Sequence, residues 1–104
     1  MAILNTRLTN GTAANIYASS GSSAITTIHL CNTTGSSVTC NVYLVTGSGI
    51  IASANNAIYT NVSITAQNTY IVYAEKFILA NGDSIRANCS AADSVTATVS
   101  SIGI

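Results

Sequence analysis

Apolar and polar residues alternate with a period of two through most of this chain. Ile28 and Leu30 alternate with Thr27, His29 and Cys31, and Val38, Cys40, Val42 and Leu44 alternate with Thr39, Asn41 and Tyr43. A two-residue period places successive side chains on opposite faces of a strand, so each run predicts a half-buried β-strand. Such runs cover 15–19, 25–32, 38–46, 58–64, 69–74, 76–79, 84–91 and 95–102. No segment carries a 3.6-residue apolar period, so helix is expected to be minor. About eight short strands separated by turn residues is the pattern of an all-β sandwich or barrel.

The residues between the runs give the expected connections. Thr34-Gly35-Ser36-Ser37 predicts a hairpin joining 25–32 to 38–46. A two-residue turn would set Cys31 opposite Cys40. An odd-length loop would instead gather Ile28, Leu30, Val38, Cys40, Val42 and Leu44 on one face, which is the favoured register because slipping by one residue exchanges the faces. Asn81-Gly82 fits a type I′ hairpin turn. Asp83 and Asp93, each beside a turn, are expected to bond local backbone through their carboxylates. The longest irregular stretch, 47–57, contains Ile50 and Ile51 among small polar residues.

Charge changes the picture most. The chain has 104 residues and one domain's worth of core, yet carries three Lys or Arg, three Asp or Glu, and no net charge. An ordinary soluble domain carries about a quarter of its residues as charges, which help keep its copies apart. A neutral surface rich in Ser, Thr and Asn suits a subunit docked against others. Arg7, Lys76 and Arg86 are too few for the roughly six to ten phosphate contacts of duplex binding, so no nucleic-acid partner is expected. No run approaches the roughly 20 apolar residues of a membrane helix, and none of the opening residues forms a signal-peptide pattern. Proline is absent, and Lys or Pro does not consistently blunt the strand edges.

Candidate chemistry is sparse. Cys31, Cys40 and Cys89 have no metal-ligand spacing; they read as small buried hydrophobes, with a Cys31–Cys40 disulfide as the alternative. His29 is the sole histidine, and no acidic residue or nucleophile lies near it in a recognised catalytic pattern. Glu75 and Lys76 are adjacent and would point to opposite faces of a strand. No phosphate loop, zinc signature or nucleophile elbow occurs, so the chain is expected to be no enzyme and to need no cofactor. Tyr17, Tyr43, Tyr59, Tyr70 and Tyr73 offer apolar area with a polar tip, and about half are expected at interfaces.

Several phrases carry a resemblance. Leu4-Asn-Thr-Arg-Leu followed by Gly11-Thr-Ala-Ala-Asn-Ile-Tyr, Ile28-His-Leu-Cys-Asn-Thr-Thr-Gly, Leu79-Ala-Asn-Gly-Asp-Ser-Ile-Arg-Ala and the closing 95–104 run together resemble small virion proteins of tailed bacteriophages, including cyanophages. That resemblance implies a β-sandwich structural subunit present in many copies per virion. The resulting expectation is a single compact antiparallel β-sandwich of jelly-roll or immunoglobulin-like kind at 13–104, preceded by an N-terminal arm at 1–12. Its expected role is a capsid decoration (cement) protein that binds the major capsid protein and associates with its own copies. A neck, collar or tail subunit is the alternative, and a host-glycan-binding fibre module the third reading. The expected location is the virion, assembled in the host cytoplasm. Ile3, Leu4, Tyr17, Ile50, Ile51 and Tyr59 are the expected interface residues.

Overall fold

The computed structural model describes residues 2–47, 52, 56–72, 77–91 and 93–103. Among the described residues nine strands run in order: β1 (Ala2–Arg7), β2 (Ala14–Ala18), β3 (Ser23–Asn32), β4 (Val38–Val45), β5 (Ala57–Ile64), β6 (Thr69–Val72), β7 (Phe77–Leu79), β8 (Ser84–Cys89) and β9 (Val95–Gly103). They form two antiparallel sheets. One has the order β1-β9-β3-β6, with β7 also on β3; the other has the order β2-β8-β4-β5. The expected all-β sandwich is therefore what the chain adopts.

The connectivity differs from the expected hairpins. Strands β3 and β4 lie in different sheets. Ile28, Leu30, Val38, Cys40 and Val42 do meet in one core, but across the sandwich rather than side by side. Alternation specifies which face a residue buries and leaves open whether two strands pair edge to edge or pack face to face. The 80–83 turn likewise joins the sheets instead of closing a hairpin, because β7 pairs with β3 and β8 with β2 and β4. Asp83 N donates to the Ala80 carbonyl at 3.1 Å, and Gly82 has φ +92° while Asn81 has no positive φ. That is the φ pattern of a type II turn, whose third residue favours glycine.

The pairs that join the two arms of the chain follow one rule, and the β3–β9 and β4–β8 pairs then set folded lengths of those arms side by side. Ala2 meets Ser101, Ala14 meets Ala87, Ser23 meets Leu79, Cys31 meets Thr69 and Val38 meets Ile64. Each partner sits nearly as far from one end of the chain as its mate sits from the other. The chain thus forms one long antiparallel ribbon, folded over so that successive segments fall alternately into the two sheets. Strands β6 and β7 are two parts of the same ribbon edge, since both run antiparallel along β3.

The 1–12 segment expected as an arm is instead largely part of the sandwich. Its residues Ala2 to Arg7 pair with Ser101 to Thr96, and Leu8 N bonds the Val95 carbonyl. The cause is the alternation Leu4, Thr6, Leu8, which continues the inward face of β9 and ends on a fully buried Leu8.

Core residues come from both sheets: Ile16, Ile25, Ile28, Leu30, Val42, Ile85, Val95 and Val99 are essentially inaccessible. Of the buried polar residues, Asn32 is the one that is fully inaccessible among those described. The Asn32 Nδ2 group donates to the carbonyls of Ser36 (2.7 Å), Ile64 (3.0 Å) and Thr65 (3.3 Å). Its Oδ1 accepts from the Thr34 backbone (2.9 Å) and hydroxyl (2.7 Å). One amide therefore ties the β3–β4 crossing to the β5–β6 crossing, satisfying backbone groups that the ladders leave unpaired.

Candidate interaction surfaces

The register fixes which side chains share the outer face of the first sheet. Ile78 of β7 and Ile102 of β9 flank Ala24 of β3 in one row. In the next outward row Ile3 lies opposite Ser100, which faces Thr27. Farther along, Ile71, His29, Thr98 and Asn5 form a third row, then Thr69, Cys31, Thr96 and Arg7 a fourth. Ile3 and Ile78 are each 66% exposed, and Ile71 and Ile102 are also exposed. Isoleucine rarely stands this open on a sheet face unless something covers it, and an apolar group rimmed by hydroxyls is the pattern of an interaction surface. Among the described residues of this face, Arg7 alone is charged. Its Nη1 is spent on the Thr33 hydroxyl at 2.8 Å and the Thr96 hydroxyl at 3.2 Å.

Leu4 belongs to the inward side of β1, opposite Val99, yet is exposed because it lies at the sheet edge. Ile3 and Leu4 thus put apolar surface on both sides of one edge strand. Tyr17 and Tyr59 are placed differently. Both are half-buried and packed against the core. Tyr17 donates from its hydroxyl to Ser23 Oγ at 2.8 Å. The Tyr59 ring meets Tyr70 edge-on, with centroids 6.1 Å apart and planes at 72°. Tyr70 is half-buried and packed against the core as well, whereas the half-buried Tyr43 lies on the outer side of the second sheet. Ile50, Ile51, Tyr73, Glu75 and Lys76 lie outside the described residues.

The outer face of the second sheet is polar and is organised by asparagines. The Asn61 backbone N–H donates to Asn41 Oδ1 (2.9 Å), Asn41 Nδ2 donates to Asn88 Oδ1 (2.8 Å), and Asn88 Nδ2 donates to the Gly11 carbonyl. Asn61 has φ +52°, a left-handed conformation that asparagine tolerates, and it sits where the β4–β5 register shifts. This relay holds the Gly11–Ala13 segment over β8 and bounds a groove of about 310 Å³, lined by Thr12, Ala13, Tyr43, Ala52, Arg86 and Asn88. Sequence reading missed both this groove and the isoleucine face. A signal for the latter was present: Ile3-Leu4, Tyr70-Ile71-Val72 and Phe77-Ile78-Leu79 each set apolar residues on both faces of a strand.

The remaining candidates for chemistry stay apart. Asp83 clamps its turn as expected, accepting from Gly47 N and Ala80 N at 3.0 Å each. His29 is half-buried between Ile71 and Thr98. Among the described residues no three His, Cys, Asp or Glu side chains converge as metal ligands. The three cysteines are free. Cys31 lies on the outer face of the first sheet, whereas Cys40 is buried in the second opposite Cys89, so the Cys31–Cys40 disulfide does not form. Burial, reinforced by the neighbouring Cys89, pushes the Cys40 thiol up to about 12.

Strand order and faces together define a jelly-roll β-sandwich, a ribbon wrapped into two sheets, with one apolar and one polar outer face. The immunoglobulin-like alternative does not fit, because its sheets use a different strand order. No protein-family model, curated protein or solved structure matches the chain. The resemblance to phage virion proteins therefore rests on the quoted sequence phrases alone.

Proposed function

We propose that this protein is a structural subunit of a multi-copy assembly, namely a phage virion decoration protein that seats its first sheet on the major-capsid lattice. The observation that carries this reading is the outer face bearing Ile3, Ile71, Ile78 and Ile102, with hydroxyls between them and Arg7 at its far end. Burying such a face costs little desolvation, since it presents few charges, and its gain scales with apolar area. Repeated over many copies, modest burial at each contact adds to a large stabilisation of a shell. Fold alone does not specify function, but jelly rolls do build viral capsids, which is consistent with this reading by analogy.

Quantitative mass spectrometry of purified particles against the major capsid protein tests the proposal. A copy number equal to that of the capsid protein, or a simple fraction of it, is the expected result. A dozen copies or fewer would move the protein to the neck or tail, and its absence would remove the virion reading. Replacing Ile78 with Glu provides the companion test: the folded variant is expected to lose incorporation into particles.

A further inference from the structure

The groove on the second sheet holds a cation whose donors the protein leaves unused. Arg86 of β8 lies directly across from Tyr43 of β4 and lines the groove beside Asn88. Its Nε is buried with no hydrogen-bond partner, and the guanidinium makes no hydrogen bond to any described residue. Arg7, the chain's other arginine, contrasts with it, since Arg7 is bonded to two threonine hydroxyls. An unpaired buried donor is costly, so it is retained where something pairs it. The chain supplies no described carboxylate for that purpose: Asp83 is engaged by Gly47 and Ala80, and Asp93 belongs to the exposed turn before β9.

We infer that this groove receives an acidic side chain of a partner protein, its carboxylate paired with the Arg86 guanidinium. A planar guanidinium fork suits a planar carboxylate. Tyr43, Ala13 and Ala52 give apolar surface for the methylene stem of the incoming residue, while Asn88 is held in place by Asn41 and Gly11. The groove is near the lower end of the size range for small ligand sites, and one side chain occupies it without a larger ligand. The site lies on the sheet opposite the isoleucine face and does not depend on the assembly proposed above.

The test is NMR of the two arginine Nε–Hε resonances in the intact protein. Blocked glutamate, carrying only its side-chain carboxylate, is titrated against blocked glutamine, acetate and inorganic phosphate. A saturable shift at Arg86 with blocked glutamate is expected, with a dissociation constant on the order of 1–10 mM for so small a probe. Arg7 and the glutamine control stay unmoved, and acetate, lacking the stem, binds more weakly. Arg86→Lys keeps the charge but not the fork; it is expected to weaken binding about tenfold while the amide spectrum shows the fold intact. No saturable shift at Arg86, an equal shift at Arg7, acetate matching blocked glutamate, or saturation by phosphate alone would each overturn the inference.

Discussion

At the scale of single residues, a small number of polar atoms inside the sandwich carry much of its specificity. Asn32 is fully buried and bonds groups in two separate crossings, so removing its amide strands several backbone carbonyls at once. Asn32→Ala is expected to cost about 3 kcal/mol, since each unsatisfied buried group costs about 1–3 kcal/mol and the losses overlap. Urea denaturation checks this through a lower midpoint with an unchanged slope. Cys40 gives a pH dependence whose sign follows from its raised value. Below about pH 9 the thiol is protonated whether the chain is folded or unfolded. Above that, the unfolded chain releases the proton first, so the stability contributed by this group is complete below pH 9 and is lost as pH rises toward about 12. Cys40→Ala is expected to flatten stability against pH across that window, as followed by denaturation at a series of pH values.

Strands were easier to find in the sequence than their partners. Alternation placed β3, β4, β8 and β9 close to their true limits, because buried positions recur along each at every second residue for most of its length. It placed β5 as well, although β5 buries only its last residue. It could not place β4, since Val38, Cys40 and Val42 are buried equally well beside Ile28 and Leu30 or across from them. The opening segment was misread because Ile3 and Leu4 are both exposed and the Leu4, Thr6, Leu8 alternation is short. The Arg86 groove had no local signature, since residues 11–13, 43, 52, 86 and 88 converge only through strand pairing. The bulge at Asn61 is a further element-level feature, with its left-handed residue pinned by Asn41. Asn61→Gly is expected to change stability by a few tenths of a kcal/mol at most, whereas Asn61→Val, β-branched at positive φ, should cost about 1–2 kcal/mol. Thermal melting of the two variants checks the difference.

For the whole molecule, the two outer faces divide the work. The first sheet offers apolar area whose one described charge, Arg7, is already bonded, and the second offers a polar surface with one unspent cation. Substitutions on the first face should therefore separate folding from assembly. Ile78→Glu is expected to leave stability within about 0.5 kcal/mol, as surface changes usually do, while reducing self-association or shell binding. Analytical ultracentrifugation alongside thermal melting checks both halves of that expectation.

The end-to-end pairing of the ribbon also sets the timing of folding. Ala2 has its mate at Ser101, and Thr33 bonds Ser94, so β1 must wait for β9. Until β7, β8 and β9 have been made, β1, β2 and β3 lack these partners, and their apolar faces have nothing to close against. Contacts this distant in sequence make for slow folding, because loop-closure entropy must be overcome before they form. The native sandwich thus cannot close before β9 has been made, and a nascent chain arrested before Val95 should remain protease-sensitive throughout.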